Sequence, residues 1–104
     1  MRTIKFRAWN SDEKIMSKPF KLIHDEELYS DTHVVMQFTG LQDKNGKEIY
    51  EGDVVELNNT KYDIVFIEGE FCGANDNGES IQMFEVINGS VIGNIYEHSE
   101  LLTQ

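Results

Sequence analysis

Asn-Gly occurs three times in this chain, at Asn45-Gly46, Asn77-Gly78 and Asn88-Gly89. Each pair is flanked by residues of strand character. A two-residue type I′ reversal needs positive φ at both central positions, which Asn and Gly tolerate best. The spacing therefore predicts three hairpins, with further reversals at Asn58-Asn59-Thr60 and Glu68-Gly69-Glu70. Between the turns the apolar residues repeat at period two. Ile4, Phe6 and Ala8 share one face of the first segment, opposite Thr3, Lys5 and Arg7. In Tyr62–Ile67 both faces are apolar, so Ile64–Ile67 reads as a strand buried on both sides. Ile81–Ile87 reads as a further strand, with Ile81, Met83 and Ile87 on one face and Phe84 and Val86 on the other. The single proline, Pro19, puts its neighbourhood in an edge strand or a loop.

Strands are expected at about 53–58, 61–68, 70–75, 80–87 and 91–96, with ends uncertain by ~2–4 residues. Five short strands joined by tight turns fit a curled, partly closed sheet. The fold class is all-β with minor helix. A C-terminal SH3-like small barrel over 37–104 follows an N-terminal β-rich extension over 1–36 that packs on it. Short helical turns are expected only at His24–Ser30 and at Ser99–Leu102, the latter capped by Ser99.

Charge is divided along the chain. Met1–Lys21 carries six basic and two acidic residues, +4, whereas Leu22–Gln104 carries three basic and seventeen acidic ones, −14. A phosphate-binding surface normally comes as a basic patch on a basic domain, so general nucleic-acid binding is disfavoured. The candidate surface for it, or for a protein hot spot, is Arg2, Lys5, Arg7 and Trp9, where a ring lies beside cations. The structural alternative for Trp9 is packing over the mouth of the barrel.

Chemistry-bearing patterns are sparse. His24, His33, His98 and Cys72 form no short-spaced ligand pair, so no metal or cofactor is expected. Cys72 sits within an expected strand as a small buried thiol. With one cysteine the chain forms no internal disulfide, which makes a reducing, cytoplasmic setting the default. No Gly-x-Ser-x-Gly elbow or phosphate-cradling Gly-Lys-Ser/Thr loop occurs. Gly73–Gly78 lacks the acidic spacing of a calcium loop and reads as a hairpin tip. No apolar run approaches the ~20 residues of a membrane helix, and Met1–Asn10 lacks a secretory apolar stretch.

The run Met36-Gln-Phe-Thr-Gly-Leu-Gln-Asp-Lys-Asn-Gly-Lys-Glu-Ile-Tyr-Glu-Gly-Asp-Val-Val55 closely resembles the signature of the YopX family of phage and prophage proteins. Ile4-Lys-Phe-Arg-Ala-Trp9 with Met16, and Val91-Ile-Gly-Asn-Ile-Tyr-Glu97 followed by Glu100-Leu-Leu102, match in the same order. The resemblance implies a phage or prophage origin in a bacterial host, an SH3-type C-terminal barrel and self-association. It brings no catalytic residues. Read from the residues themselves, Gly52-Asp53 is a bend in which Asp caps free backbone donors, and Gly93-Asn94 sets the curl of the last strand.

The expectation is a non-enzymatic accessory protein that binds its own copies and an unknown host or phage protein. Two alternatives stand beside it. One is nucleic-acid binding through the basic N-terminal segment; the other is an acidic nucleic-acid mimic that occupies a host protein.

Overall fold

The computed structural model describes residues 4–21 and 31–98. Among the described residues nine strands and one helical turn follow in order: β1 (Phe6–Asn10), β2 (Ile15–Met16), β3 (His33–Gln42), β4 (Glu48–Tyr50), β5 (Asp53–Leu57), β6 (Thr60–Ile67), β7 (Glu70–Ala74), β8 (Ser80–Gln82), α1 (Met83–Val86) and β9 (Ser90–Asn94). They form two antiparallel sheets, one of order β2-β1-β3-β4 and one of order β8-β7-β6-β5-β9. In the second sheet the last of five strands lies beside the first and a helical turn precedes it, the strand order of an SH3-type barrel. The fold is all-β, with the barrel sheet curled into a half-barrel. Residues 24–30 and 99–102, where short helical turns are expected, lie outside the described residues.

The turns are redistributed relative to expectation. Positive φ at two successive positions occurs at Asn58-Asn59 (52° and 66°) and Glu68-Gly69 (53° and 85°), joining β5 to β6 and β6 to β7. Asn45-Gly46 and Asn77-Gly78 do close hairpins, but only the glycine has positive φ (83° and 81°). Both are three-residue loops: Gly46 N–H donates to Asp43 O, and Gly78 N–H donates to Asn75 O. The residue that opens each loop explains the difference. Asp43 Oδ1 accepts from the N–H groups of Asn45 (2.8 Å) and Lys47 (2.9 Å), and Asn75 Oδ1 accepts from those of Asn77 (3.1 Å) and Glu79 (3.0 Å). A side-chain acceptor two residues upstream thus organises a wider turn than a bare Asn-Gly would make.

The third pair makes no hairpin. The segment expected as one strand over 80–87 is a three-residue strand followed by α1, and Asn88-Gly89 is the exit from that helix, its N–H groups donating to Glu85 O and Val86 O. Met83, Val86 and Ile87 stand at helical spacing, and Glu85 Oε2 accepts the Gln82 N–H (3.3 Å) as the helix starts. Gly89 is required there by space: a Cβ would lie 2.6 Å from Glu56 O.

Val86 is fully buried and joins Ile49, Val55, Ile64 and Phe71 in the principal core. Ile49 comes from the first sheet and the rest from the second sheet and α1, so this cluster holds the two sheets together. Each such side chain contributes about 1.5–3 kcal/mol of burial. The opposite end of β6 departs from expectation. Phe66 and Ile67 are both half exposed: β5 starts at Asp53, opposite Ile64, and beyond that point β7 is the one strand among the described residues that pairs with β6.

Candidate interaction surface

The N-terminal segment meets the barrel through the face that carries its charges. Lys5, Arg7 and Trp9 alternate along the chain into β1 and turn toward the second half of the molecule, whereas Ile4 is exposed. Lys5 Nζ bonds Glu48 Oε2 at 2.5 Å and lies 4.8 Å from the centre of the Phe38 ring. The Arg7 guanidinium bonds Asp53 Oδ1 at 2.6 Å and stacks 4.6 Å from the centre of the Tyr50 ring. Trp9 is only 6% exposed and stacks with Tyr96, ring centres 6.4 Å apart. Of the four candidate residues, the structure brings these three together on internal partners, and Arg2 lies outside the described residues.

Asp53 is the centre of this arrangement. Its second oxygen, Oδ2, accepts the Tyr50 N–H at 2.7 Å, the backbone cap expected of the Gly52-Asp53 bend. Burial raises its carboxyl above the ordinary range, while the Arg7 charge and the Tyr50 N–H pull the other way. Gly52 beside it has φ +88°, and a Cβ there would lie 3.0 Å from Met36 Sδ and 3.2 Å from Tyr96 Cε2. Only glycine meets both conditions.

Burial and the neighbouring Glu48 push the Tyr50 phenol up to about 12. An unfolded tyrosine titrates near 10. Because the folded value is the higher, the stability linked to this proton is complete below about pH 10 and is lost as pH rises through about 12. Absorbance titration of the four tyrosines should show a phenol that ionises late, with chemical stability falling across the same interval.

The outer surface offers other features. Among the described residues no group of three His, Cys, Asp or Glu is placed to hold a metal ion. Cys72 is half-buried rather than enclosed, and burial raises its thiol above the usual range, which favours the unreactive form. Phe66 and Ile67 are 50% exposed and Phe84 is 67% exposed. Phe66 meets Phe71 edge-on, ring centres 4.8 Å apart. Beside Phe66 runs a groove of about 210 Å³, lined by Val34, Val35, Glu51, Asp63, Phe66 and Tyr96 among others. Burial raises the Asp63 carboxyl, and the nearby Asp76 adds to the shift. These residues escape sequence reasoning because an apolar pair continuing a strand that is apolar on both faces reads as core. The signal that marks them is position: they immediately precede the Glu68-Gly69 tip, where a neighbouring strand can run out.

No helix among the described residues is long and apolar enough to cross a membrane. The family model described as YopX protein matches residues 18–103. The crystal structure of protein EF1440 from Enterococcus faecalis is similar over 98% of this chain and 99% of that one, with a TM-score of 0.69 and 27% sequence identity. No curated protein matches.

Proposed function

This chain belongs to the YopX family, and we propose that it is a non-enzymatic interaction module that binds polypeptides, its own copies included. On this reading it is a phage or prophage accessory protein acting in the bacterial cytoplasm, a role that the family resemblance supports. The observation that carries the reading is the Phe66-Ile67 pair, two adjacent large apolar side chains half in water at the uncovered end of β6. Successive strand residues face opposite ways, so Phe66 lines the groove beside Tyr96 and Ile67 lies on the other side near Cys72. Large apolar side chains exposed on both faces beside an open strand edge support a protein partner.

The nucleic-acid alternative is less well supported. Lys5 and Arg7 are engaged with Glu48 and Asp53, and the Trp9 ring is buried, so three of its four residues present little to a phosphate or a base. Binding to single- or double-stranded DNA that weakens steeply with salt would restore it.

Light scattering after size exclusion tests the self-association. The wild-type mass should rise above the 12.0 kDa of one chain with increasing concentration, and Phe66→Glu with Ile67→Lys should return it to one chain. A wild-type mass that stays at one chain at the highest attainable concentration removes self-association.

A further inference from the structure

We infer that the groove between β3 and β6 receives an extended segment of a partner polypeptide in which basic and apolar residues alternate; this deepens the interaction-module reading and rests on it. The inference starts from backbone direction. Ala8 N–H donates to Ser17 Oγ (2.9 Å) and Ala8 O accepts from Ser17 N–H (2.8 Å), so both its polar groups face β2. Its register partner on β3 is Val35. In an antiparallel ladder such a pair exchanges no hydrogen bond, and the N–H and C=O of Val35 therefore point away from β1. The next residue of the same parity, Gln37, shows what that side offers: its O accepts the Glu51 N–H (2.9 Å) and its N–H donates to Glu51 Oε1 (3.3 Å). β4 pairs with β3 only from Phe38 onward, which leaves the Val35 groups turned into the groove.

The other wall repeats the pattern. The Glu68-Gly69 reversal makes Ile67 and Glu70 a hydrogen-bonded pair, so Val65 bonds toward β7 while Ile64 and Phe66 point to the opposite side. Ile64 O confirms this direction by accepting the Gly52 N–H at 2.8 Å. Past that bond β5 has not yet begun, and among the described residues no strand meets the Phe66 N–H and C=O on the groove side. Val35 and Phe66 both line the same groove. Two strand edges with outstanding donors and acceptors, facing one space, suit an added strand better than a compact ligand.

The occupant's side chains follow from the lining. Val34, Val35, Ile64, Phe66 and Ile95 supply apolar wall, and about 210 Å³ is room for side chains rather than a whole cofactor. Among the described lining residues the ionisable ones are Glu51, Asp63 and the phenol of Tyr96, and none is basic. A strand that presents lysine or arginine at every second position meets both carboxylates, and its intervening apolar residues meet the wall. The body of this chain, at −14, is a poor source of such a strand; a basic partner is a good one.

The test uses the full chain and the capped hexapeptide Lys-Val-Lys-Val-Lys-Val, with Glu-Val-Glu-Val-Glu-Val and an alternately N-methylated Lys-Val peptide as controls. Backbone amide spectra of the protein should show the largest shifts, and slowed hydrogen exchange, at Val35 and Phe66 with the Lys-Val peptide. Neither control should produce them. Glu51→Gln with Asp63→Asn should weaken binding about tenfold while leaving amide dispersion unchanged. Shifts mapped elsewhere overturn the groove assignment but retain a polypeptide-binding module. No shift with any peptide at millimolar concentration overturns the groove assignment, and self-association by light scattering then decides the broader reading separately. A protein that instead pairs with its own copies through Val35 and Phe66, blocking the peptide, also overturns the basic occupant.

Discussion

Replacing Asp53 by alanine is expected to cost about 3–5 kcal/mol of folding stability, the usual result of removing one partner from a buried ion pair. The Arg7 side chain is 13% exposed and that of Asp53 is 2% exposed, so water reaches little of the cation left behind. Arg7 Nε is already buried without a partner, and the substitution would leave the Asp53-facing end of the guanidinium in the same state. The Tyr50 N–H loses its acceptor too. For a chain of this size the fall in melting temperature is on the order of 15 °C. Asp53→Asn should cost somewhat less, since an amide oxygen still accepts from Tyr50 although Arg7 loses its counter-charge. Arg7→Met combined with Asp53→Ala should recover part of the loss, because no charge then stays buried. Urea denaturation of the three variants measures this. Equal losses for Asp53→Ala and Asp53→Asn would show that the Tyr50 cap contributes nothing beyond the ion pair.

That result would also explain which parts of the molecule can be read from its sequence. The alternation of apolar residues, the Asn45-Gly46 reversal and the Gly52-Asp53 bend are local, and each is set by residues within a few positions. The Arg7–Asp53 bond spans 46 positions, and nothing in either neighbourhood announces the other. Binary patterning turns the Ile4, Phe6 and Ala8 face of the first segment inward. The structure also turns Lys5, Arg7 and Trp9 onto the barrel, because Glu48, Asp53 and three aromatic rings wait there as partners, while Ala8 is buried and Ile4 is left exposed. α1 was hidden by ambiguity of period: over seven residues Ile81–Ile87 satisfies a strand alternation and a helical spacing equally. The uncovered end of β6 depends on where β5 begins, which is a fact of tertiary pairing. Local geometry is legible; the candidate surface, made where β5 stops short of the end of β6, is not.

Asp43 and Asn75 give the second large effect, and the comparison between them is internal to the molecule. Both open an Asn-Gly loop and both use Oδ1 to accept two N–H groups of that loop. Asp43 does one thing more. Its Oδ2 accepts the Val91 N–H at 2.8 Å, tying the family's central motif to β9 across 48 positions, alongside a Lys44 N–H to Gly89 O bond of 3.2 Å. Asp43→Ala removes three bonds to a charged acceptor, each of which is worth about 1.5–3 kcal/mol when buried. The N–H groups of the exposed loop regain water, so the expected net loss is about 2–4 kcal/mol. Asp43→Asn should keep the loop, as Asn75 demonstrates, and turn an amide NH₂ toward the Val91 donor. Its loss, about 1–2 kcal/mol, should come with faster hydrogen exchange at Val91 and little change at Asn45. Burial alone would raise the Asp43 carboxyl, but the N–H groups of Val91, Lys47 and Asn45 outweigh it and hold the group below its ordinary range. A lowered folded value means stability that is present above the unfolded carboxyl range and lost as pH falls through the folded one. The gap between wild type and Asp43→Asn should therefore close as pH is lowered below about 4. Asn75→Asp, with no β9 to hold, should stay within about 0.5 kcal/mol of wild type. A gap that persists unchanged into acid would show that the loss does not depend on the charge of the Asp43 carboxylate.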